Sequence, residues 1–467
     1  MEDWVSSILG EERRKRNIPL EVKVLNGNYY LYHSTSKYDR NTHGPRKVSE
    51  YIGRITEKGV IEAHHARRTV YEYGNSRLVH SLSGDLLPAL RKHFPDSWES
   101  LYALSVVRLI DSVPLKSVKE RWEKLHLSTQ VQAHLSPSTL TELLRETGSG
   151  MPGQYDFFSD LMKSSSKLAL YLSSIFSKSE NINMAQEGHN ADHEYMPQIN
   201  MAMVFDLDQY RPVFLKSLDG SVRDVKSLRN VLEEISFHGI LVLDRGFASY
   251  DIAELMSSEM KFVMPLRRNS DLIDYGMRLI SSFMYRDRGI LCGFSNHEGY
   301  RIYMFQDQSL MAEESGSFIS LISQGKRKQR QYDGASAMFG KISILSNIRD
   351  EPQSIYMMYK QREEIEQAFD AMKNELENDK TYLRDDDSVR GYFFVSFLSL
   401  YLYYSIFVLI RAADLTDRVS VRDALLRFSR VYEITDGKRS VMSEIPASSA
   451  KLDEQLGTNI FPKKLRS

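Results

Sequence analysis

Cysteine is nearly absent: Cys292 is the single one in 467 residues. One thiol can neither close an internal disulfide nor build a cysteine-rich zinc site, which fits a reducing cytoplasm. Net charge is nearly absent too, with 61 Lys and Arg against 62 Asp and Glu. That balance hides an asymmetry. Over residues 13–72, thirteen Lys and Arg stand against six Asp and Glu, so the rest of the chain is acidic. A basic end on a near-neutral chain points to a polyanion-binding module there. The opening MEDWVSSILGEERRKRN puts acids ahead of its apolar residues and does not read as a secretory signal. Long apolar runs are missing with one exception, residues 391–410 (GYFFVSFLSLYLYYSIFVLI), uncharged and long enough to span a bilayer. Ser396, Ser399 and Ser405 interrupt it, and Tyr392, Tyr401, Tyr403 and Tyr404 carry hydroxyls that need partners. A buried core helix is the expectation, and no membrane partner.

A chain of 467 residues exceeds one core and implies two to four domains. Its 42% hydrophobic and 26% charged residues are ordinary for a globular protein. Residues 22–61 read as β. Asn26-Gly27 marks a tight turn before Tyr29, Tyr30, Leu31 and Tyr32, and a second strand runs near residues 51–55. Between them lies a polar loop, STSKYDRNTHGPRK, crowded by Lys37, Arg40, Arg46 and Lys47. Cations between aromatic strands suit phosphate contact with ring stacking, and equally a solvated hairpin. Residues 80–165 turn helical, with Leu101, Leu104 and Val107 at helical spacing and Ser136-Pro137 as a helix start.

From Lys167 the pattern changes to short apolar runs. Residues 168–172, 199–205, 212–215, 240–243 and 261–265 read as strands, with helices at 225–235 and near 252–256. That mixture indicates an α/β sheet. Residues 266–340 alternate further strands (301–305, 318–322) with polar loops, and the stretch after Thr435 reads as a polar, loosely ordered tail.

The most informative stretch is YKQREEIEQAFDAMK. At about 100° per residue, Tyr359, Arg362, Glu366 and Lys373 fall within roughly a 60° arc of one helix face, and Asp370 shares it. A carboxylate flanked by two cations and a phenol suits a metal ion and a phosphate better than a hydrophobic core. Simple intrahelical ion pairing would also use these spacings. Upstream, Asp244 closes an apolar strand before Arg245-Gly246-Phe247, where α/β sheets usually place ligands. Metal-dependent phosphodiester chemistry needs two or three converging carboxylates. Asp244 and Glu366 stand 122 positions apart, so only the fold can bring them together.

The spacing Tyr-x2-Arg-x3-Glu-x6-Lys together with VLDRGF resembles the YREK-type DDE transposases of bacterial insertion sequences. GHNADHEYMPQINMAMVFDLD, LDGSVRDVKSL and YDGASAMF add to the resemblance, which covers roughly residues 160–412. It implies an α/β, RNase H-like mixed sheet interrupted by a β-rich insertion. It also implies Mg²⁺ (with Mn²⁺ as substitute) held by Asp244 and Glu366, and DNA phosphates contacted by Tyr359, Arg362 and Lys373. The reaction implied is DNA hydrolysis at the element's ends, then attack of the freed 3′-hydroxyl on target DNA. The partner implied is double-stranded DNA, element ends and target, bound by a dimer on the cytoplasmic nucleoid. The expected division is 1–79 as a basic aromatic β-hairpin region for DNA and 80–165 as a helical region. The core then occupies 166–265, an insertion 266–340, the second core half with the Tyr-Arg-Glu-Lys helix 341–434, and a tail 435–467.

One position departs from the pattern. The family's first aspartate lies on the first core strand, ahead of Leu-Ser-Ser. Here that strand reads ALYLSSIF, and Tyr171 stands in the aspartate's place. A phenol is neutral at pH 7 and a poor Mg²⁺ ligand. Glu180, Glu187, Asp192, Asp206 and Asp208 are the other acids nearby, and none matches the motif. The expectation is a transposase copy impaired in catalysis. Its rivals are a non-catalytic DNA-binding relic, a stand-alone structure-selective nuclease, and a membrane-associated protein anchored by residues 391–410.

Overall fold

A computed structural model describes residues 2–39, 44–62, 68–176, 181–187, 197–222, 231, 234, 237, 239–244, 247, 250–257, 260–363, 366, 371, 385–436 and 439–462. The chain forms two compact units, Met1–Thr69 with Ile434–Val441, and Val70–Glu433 with Met442–Ser467.

In the first unit a helix, α1 (Asp3–Arg16), precedes four antiparallel strands in sequential order: β1 (Leu20–Leu25), β2 (Asn28–Asp39), β3 (Gly44–Thr56) and β4 (Gly59–Glu62). The turn between β1 and β2 is the expected one. Asn26 and Gly27 take φ of 52° and 74°, the left-handed pair that suits a two-residue hairpin. The expected polar loop is mostly strand instead. β2 runs on to Asp39 and β3 resumes at Gly44, with Lys37 opposite Arg46. Ladder hydrogen bonds need no apolar side chains, and Thr and Tyr are good strand formers. Arg40 lies outside the described residues. Val5 and Leu9 of α1 pack with Leu20, Leu31 and Ile55 to bury one face of this sheet.

The second unit begins through β5 (Thr69–Glu72) and a helical stretch, α2 (Gly74–Ser81), α3 (Leu86–His93), α4 (Trp98–Ile110), α5 (Val118–Trp122), α6 (Pro137–Ser149) and α7 (Met151–Met162). Ser136 starts α6 as expected, its side chain accepting the Thr139 N–H ahead of Pro137.

The core sheet follows: β6 (Lys167–Phe176), β7 (Gln186–Glu187), β8 (Pro197–Asp206), β9 (Arg211–Asp219), β10 (Ile240–Leu243) and β11 (Lys261–Pro265). β6, β8 and β9 form an antiparallel meander, and β10 then β11 join β6 on its other side in parallel. The spatial order β9-β8-β6-β10-β11, three antiparallel strands and then two parallel ones, is the RNase H-like arrangement. α8 (Tyr250–Ser257) precedes β11. Most of the expected helix at 225–235 lies outside the described residues.

Beyond β11 the sheet is extended by β12 (Ser281–Tyr285), β13 (Arg288–His297) and β14 (Tyr300–Asp307), tied in through β15 (Lys341–Ser346). Residues 318–322, expected as a strand, belong to helix α9 (Gln308–Ser323), and α10 (Gln329–Ser336) follows. The reason is local. Asp307 caps the helix by accepting the Leu310 N–H at 2.9 Å, and Leu310, Met311, Phe318, Leu321 and Ile322 recur at helical rather than alternating spacing.

Next come α11 (Pro352–Gln361), α12 (Asp386–Ala412), α13 (Val421–Phe428) and α14 (Ala447–Leu456). By length and composition α12 could cross a membrane. In this fold it packs against α4, α6 and β9, with most of its residues buried. Its polar groups have partners there. Ser396 Oγ donates to the Tyr392 carbonyl, and Ser399 Oγ to those of Ser105 and Val395. Arg108 lies over the Tyr392 ring and Arg211 over that of Tyr401. Two glycines let α6 and α12 close: a Cβ on Gly391 would meet the Leu144 carbonyl oxygen at 1.9 Å, and one on Gly148 that of Asp387 at 1.7 Å. The loosely ordered tail is also corrected. α14 buries Leu452 and Leu456, and the Asp453 carboxylate accepts N–H bonds from Ile460 and Phe461 at 3.0 and 3.1 Å.

Candidate active site

β10 is four apolar residues, the last three buried, and its end delivers Asp244. Its parallel pairing with β6 runs from Ile240 opposite Lys167 to Leu243 opposite Leu170. The next register position brings Asp244 level with Tyr171. Behind Asp244 the chain turns, the Phe247 N–H donating to the Asp244 carbonyl at 3.1 Å while the Phe247 ring is buried.

α11 packs against β10, β11 and β13. Pro352 begins it, and Ile355, Tyr356, Met358 and Tyr359 face inward. Tyr356 fixes its lie, with ring centroids 5.4 Å from Phe283, 5.4 Å from Tyr285 and 5.0 Å from Phe305. Arg362 follows directly, aimed at the end of β10. Its Nη1 donates to Asp244 Oδ1 at 2.6 Å and pairs with Glu366 Oε1 at 2.9 Å. The guanidinium carbon lies 5.4 Å from the Tyr359 ring centroid. Burial works against the Arg362 charge, but Asp244, Tyr359, Glu366 and Tyr171 outweigh it and hold the group above its ordinary range. Arg362 Nε is buried with no hydrogen-bond partner.

Four of the five sequence-predicted residues therefore meet: Asp244, Tyr359, Arg362 and Glu366. Lys373, like Asp370, lies outside the described residues. The pairing of Arg362 with Glu366 is one helical turn and could be read from spacing. The pairing with Asp244 bridges the sheet and the helix, and no local signal announces it. Tyr359 is 6% exposed and lies against the arginine.

Among the described residues, no neighbouring acid takes the place that Tyr171 fills. Asp206 lies opposite Leu168, fully buried, and closes the β8–β9 turn by accepting from Ser165 Oγ and from the Asp208 and Gln209 N–H groups. Asp208 is engaged by Ser166 and Lys167. Glu187 is exposed on β7. Glu180 and Asp192 lie outside the described residues. Among those described, no three His, Cys, Asp or Glu side chains converge. Among the described residues, two carboxylates sharing one arginine, with a phenol alongside, hold too little anionic oxygen for a pair of divalent ions.

A meander-plus-parallel sheet with one acid after its fourth core strand, and another on the helix that follows the insertion, makes this an RNase H-like core. The family model for the transposase DDE domain matches residues 163–402, just over half the chain, and the protein belongs to that family. No curated protein matches it. Among solved structures, a cryo-EM structure of a piggyBac transposase synaptic complex with hairpin DNA is similar at 10% identity. That likeness covers 84% of this chain and 86% of that one with a TM-score of 0.38, too distant to carry an argument.

Proposed function

We propose that this DDE transposase belongs to the YREK subgroup of insertion-sequence enzymes, and that its metal-dependent cleavage is impaired by Tyr171. It binds double-stranded DNA at the element's ends and then at the target, as a dimer, on the cytoplasmic nucleoid. The observation that carries this reading is the meeting of Arg362 with both Asp244 and Glu366 beside Tyr171. Intrahelical pairing explains only half of that contact.

In this reading Asp244 and Glu366 are the acidic pair, and Tyr359, Arg362 and Lys373 contact DNA phosphates. Divalent ions are general in the family, with Mg²⁺ the natural choice and Mn²⁺ a substitute. Here the carboxylates are one short, and Arg362 pairs with the two that remain. An arginine held this way offers a DNA phosphate a charged, oriented donor. Binding can therefore outlast catalysis.

A second reading, a non-catalytic DNA-binding relic, is favoured by the same Tyr171. Gel-shift and cleavage assays on DNA carrying the element's flanking repeats test both. Specific, salt-sensitive binding with little cutting in Mg²⁺ or Mn²⁺ supports the impaired transposase. Restored cutting by Tyr171→Asp separates it from the relic. Absence of specific DNA binding contradicts both.

A further inference from the structure

The first unit carries a surface that the core chemistry does not use. α1 covers one face of its sheet through Val5 and Leu9, against Leu20, Leu31 and Ile55. Strand alternation turns Glu21, Tyr30, Tyr32 and Arg54 to the other face. Across the strands Lys23 lies opposite Tyr30 and Tyr30 opposite Arg54, while Glu21 lies opposite Tyr32 and Tyr32 opposite Tyr51. The three rings form one patch: the Tyr51 centroid is 5.9 Å from that of Tyr30 and 5.3 Å from that of Tyr32.

Cations frame the patch. Lys23 Nζ stands 4.3 Å from the Tyr32 centroid, and Arg54 Nη2 donates to Asn28 Oδ1 at 2.6 Å. Lys23, Lys47 and Arg54 are exposed, and the tyrosines are half-buried. The acid on this face, Glu21, is already engaged. Hydrogen bonds from Lys47 and Ser49 pull its carboxyl down to about 2, and Lys23 pairs with it as well. Three cations against one ionised acid leave the patch positive.

We propose that this face binds single-stranded DNA, with unpaired bases stacking on Tyr30, Tyr32 and Tyr51 and phosphates contacted by Lys23, Lys47 and Arg54. A flat sheet bearing π-faces suits unpaired bases, whereas a duplex offers it only phosphates and groove edges. The proposal rests on the transposase reading only for the source of the strands, since cutting and joining DNA exposes them.

The test is fluorescence anisotropy of the full chain with a labelled 20-nucleotide oligothymidylate and with a duplex of equal length. The oligothymidylate is expected to bind more tightly than the duplex. Replacing the three tyrosines with leucine keeps the face covered but removes the rings, and should weaken single-strand binding by about tenfold or more. Replacing them with phenylalanine should preserve it. Photocrosslinking of a bromodeoxyuridine-substituted strand to the unaltered chain, mapped to Tyr30, Tyr32 or Tyr51, needs no variant to fold. Equal binding by the leucine chain, a preference for duplex, or crosslinks confined to other residues would overturn the proposal. The strands carry no element sequence, so this result stands apart from end recognition by the core.

Discussion

Arg362 Nη1 lies 2.6 Å from Asp244 Oδ1 across 118 positions of sequence. The same nitrogen holds Glu366 at 2.9 Å, so one cation ties the end of β10 to the helix after the insertion. Removing it strips both carboxylates of their shared cation. Arg362→Ala should cost about 1.5–3 kcal/mol, read as a lower urea midpoint at unchanged slope. Arg362→Lys should recover part of the loss, because a single ammonium can still serve both acids. An alanine variant as stable as the natural chain would mean that this contact holds nothing together.

The α6–α12 crossing predicts a sharper effect. A methyl at Gly148 or Gly391 would overlap backbone carbonyls of the facing helix, where no side chain can move aside. Gly148→Ala and Gly391→Ala should each cost about 3 kcal/mol, the upper end for overpacking, or yield insoluble protein. Gly316 in α9 has nothing near its missing Cβ. Gly316→Ala should instead stabilise by up to about 1 kcal/mol. Thermal melts of the three variants test the contrast.

Asp160 supplies a pH signature. Its carboxylate accepts from Lys163 just past the end of its own helix α7, and from Lys92 and His93 at the end of α3. Those bonds, that from Lys163 foremost, hold its pKa far below the usual carboxylate range. A group depressed in the folded state contributes stability that is full above its unfolded pKa and lost as pH falls through the folded one. Asp160→Asn should therefore melt below the natural chain at pH 7, with the gap closing as pH drops below about 4. A gap that persists unchanged into acid would assign the effect to packing.

What was legible in the sequence was local. The β10 strand with its closing Asp244, the Tyr-Arg-Glu-Lys spacing and the Asn26-Gly27 turn are each written within a few residues. α9 was misread at residues 318–322 because a five-residue apolar run has no period of its own, and its helical cap lies eleven residues earlier at Asp307. α14 hid in a polar stretch because two buried leucines and one buried aspartate suffice to hold it. That Tyr171 stands level with Asp244 follows from the parallel register of β6 and β10, a non-local relationship. The motif alignment reached Tyr171 by another route. The hold of Arg362 on Asp244 had no sequence signal at all.

The central claim is that Tyr171 stands where a metal-binding carboxylate belongs. The direct measurement is the cleavage rate, in Mg²⁺ and in Mn²⁺, of DNA bearing the flanking terminal repeats, comparing the natural chain with Tyr171→Asp. Restoring a ligand is worth several kcal/mol in the transition state, so the variant should cut about a hundredfold faster or more. A natural chain that cuts as fast as the variant would contradict the account and assign the third ligand to another acid.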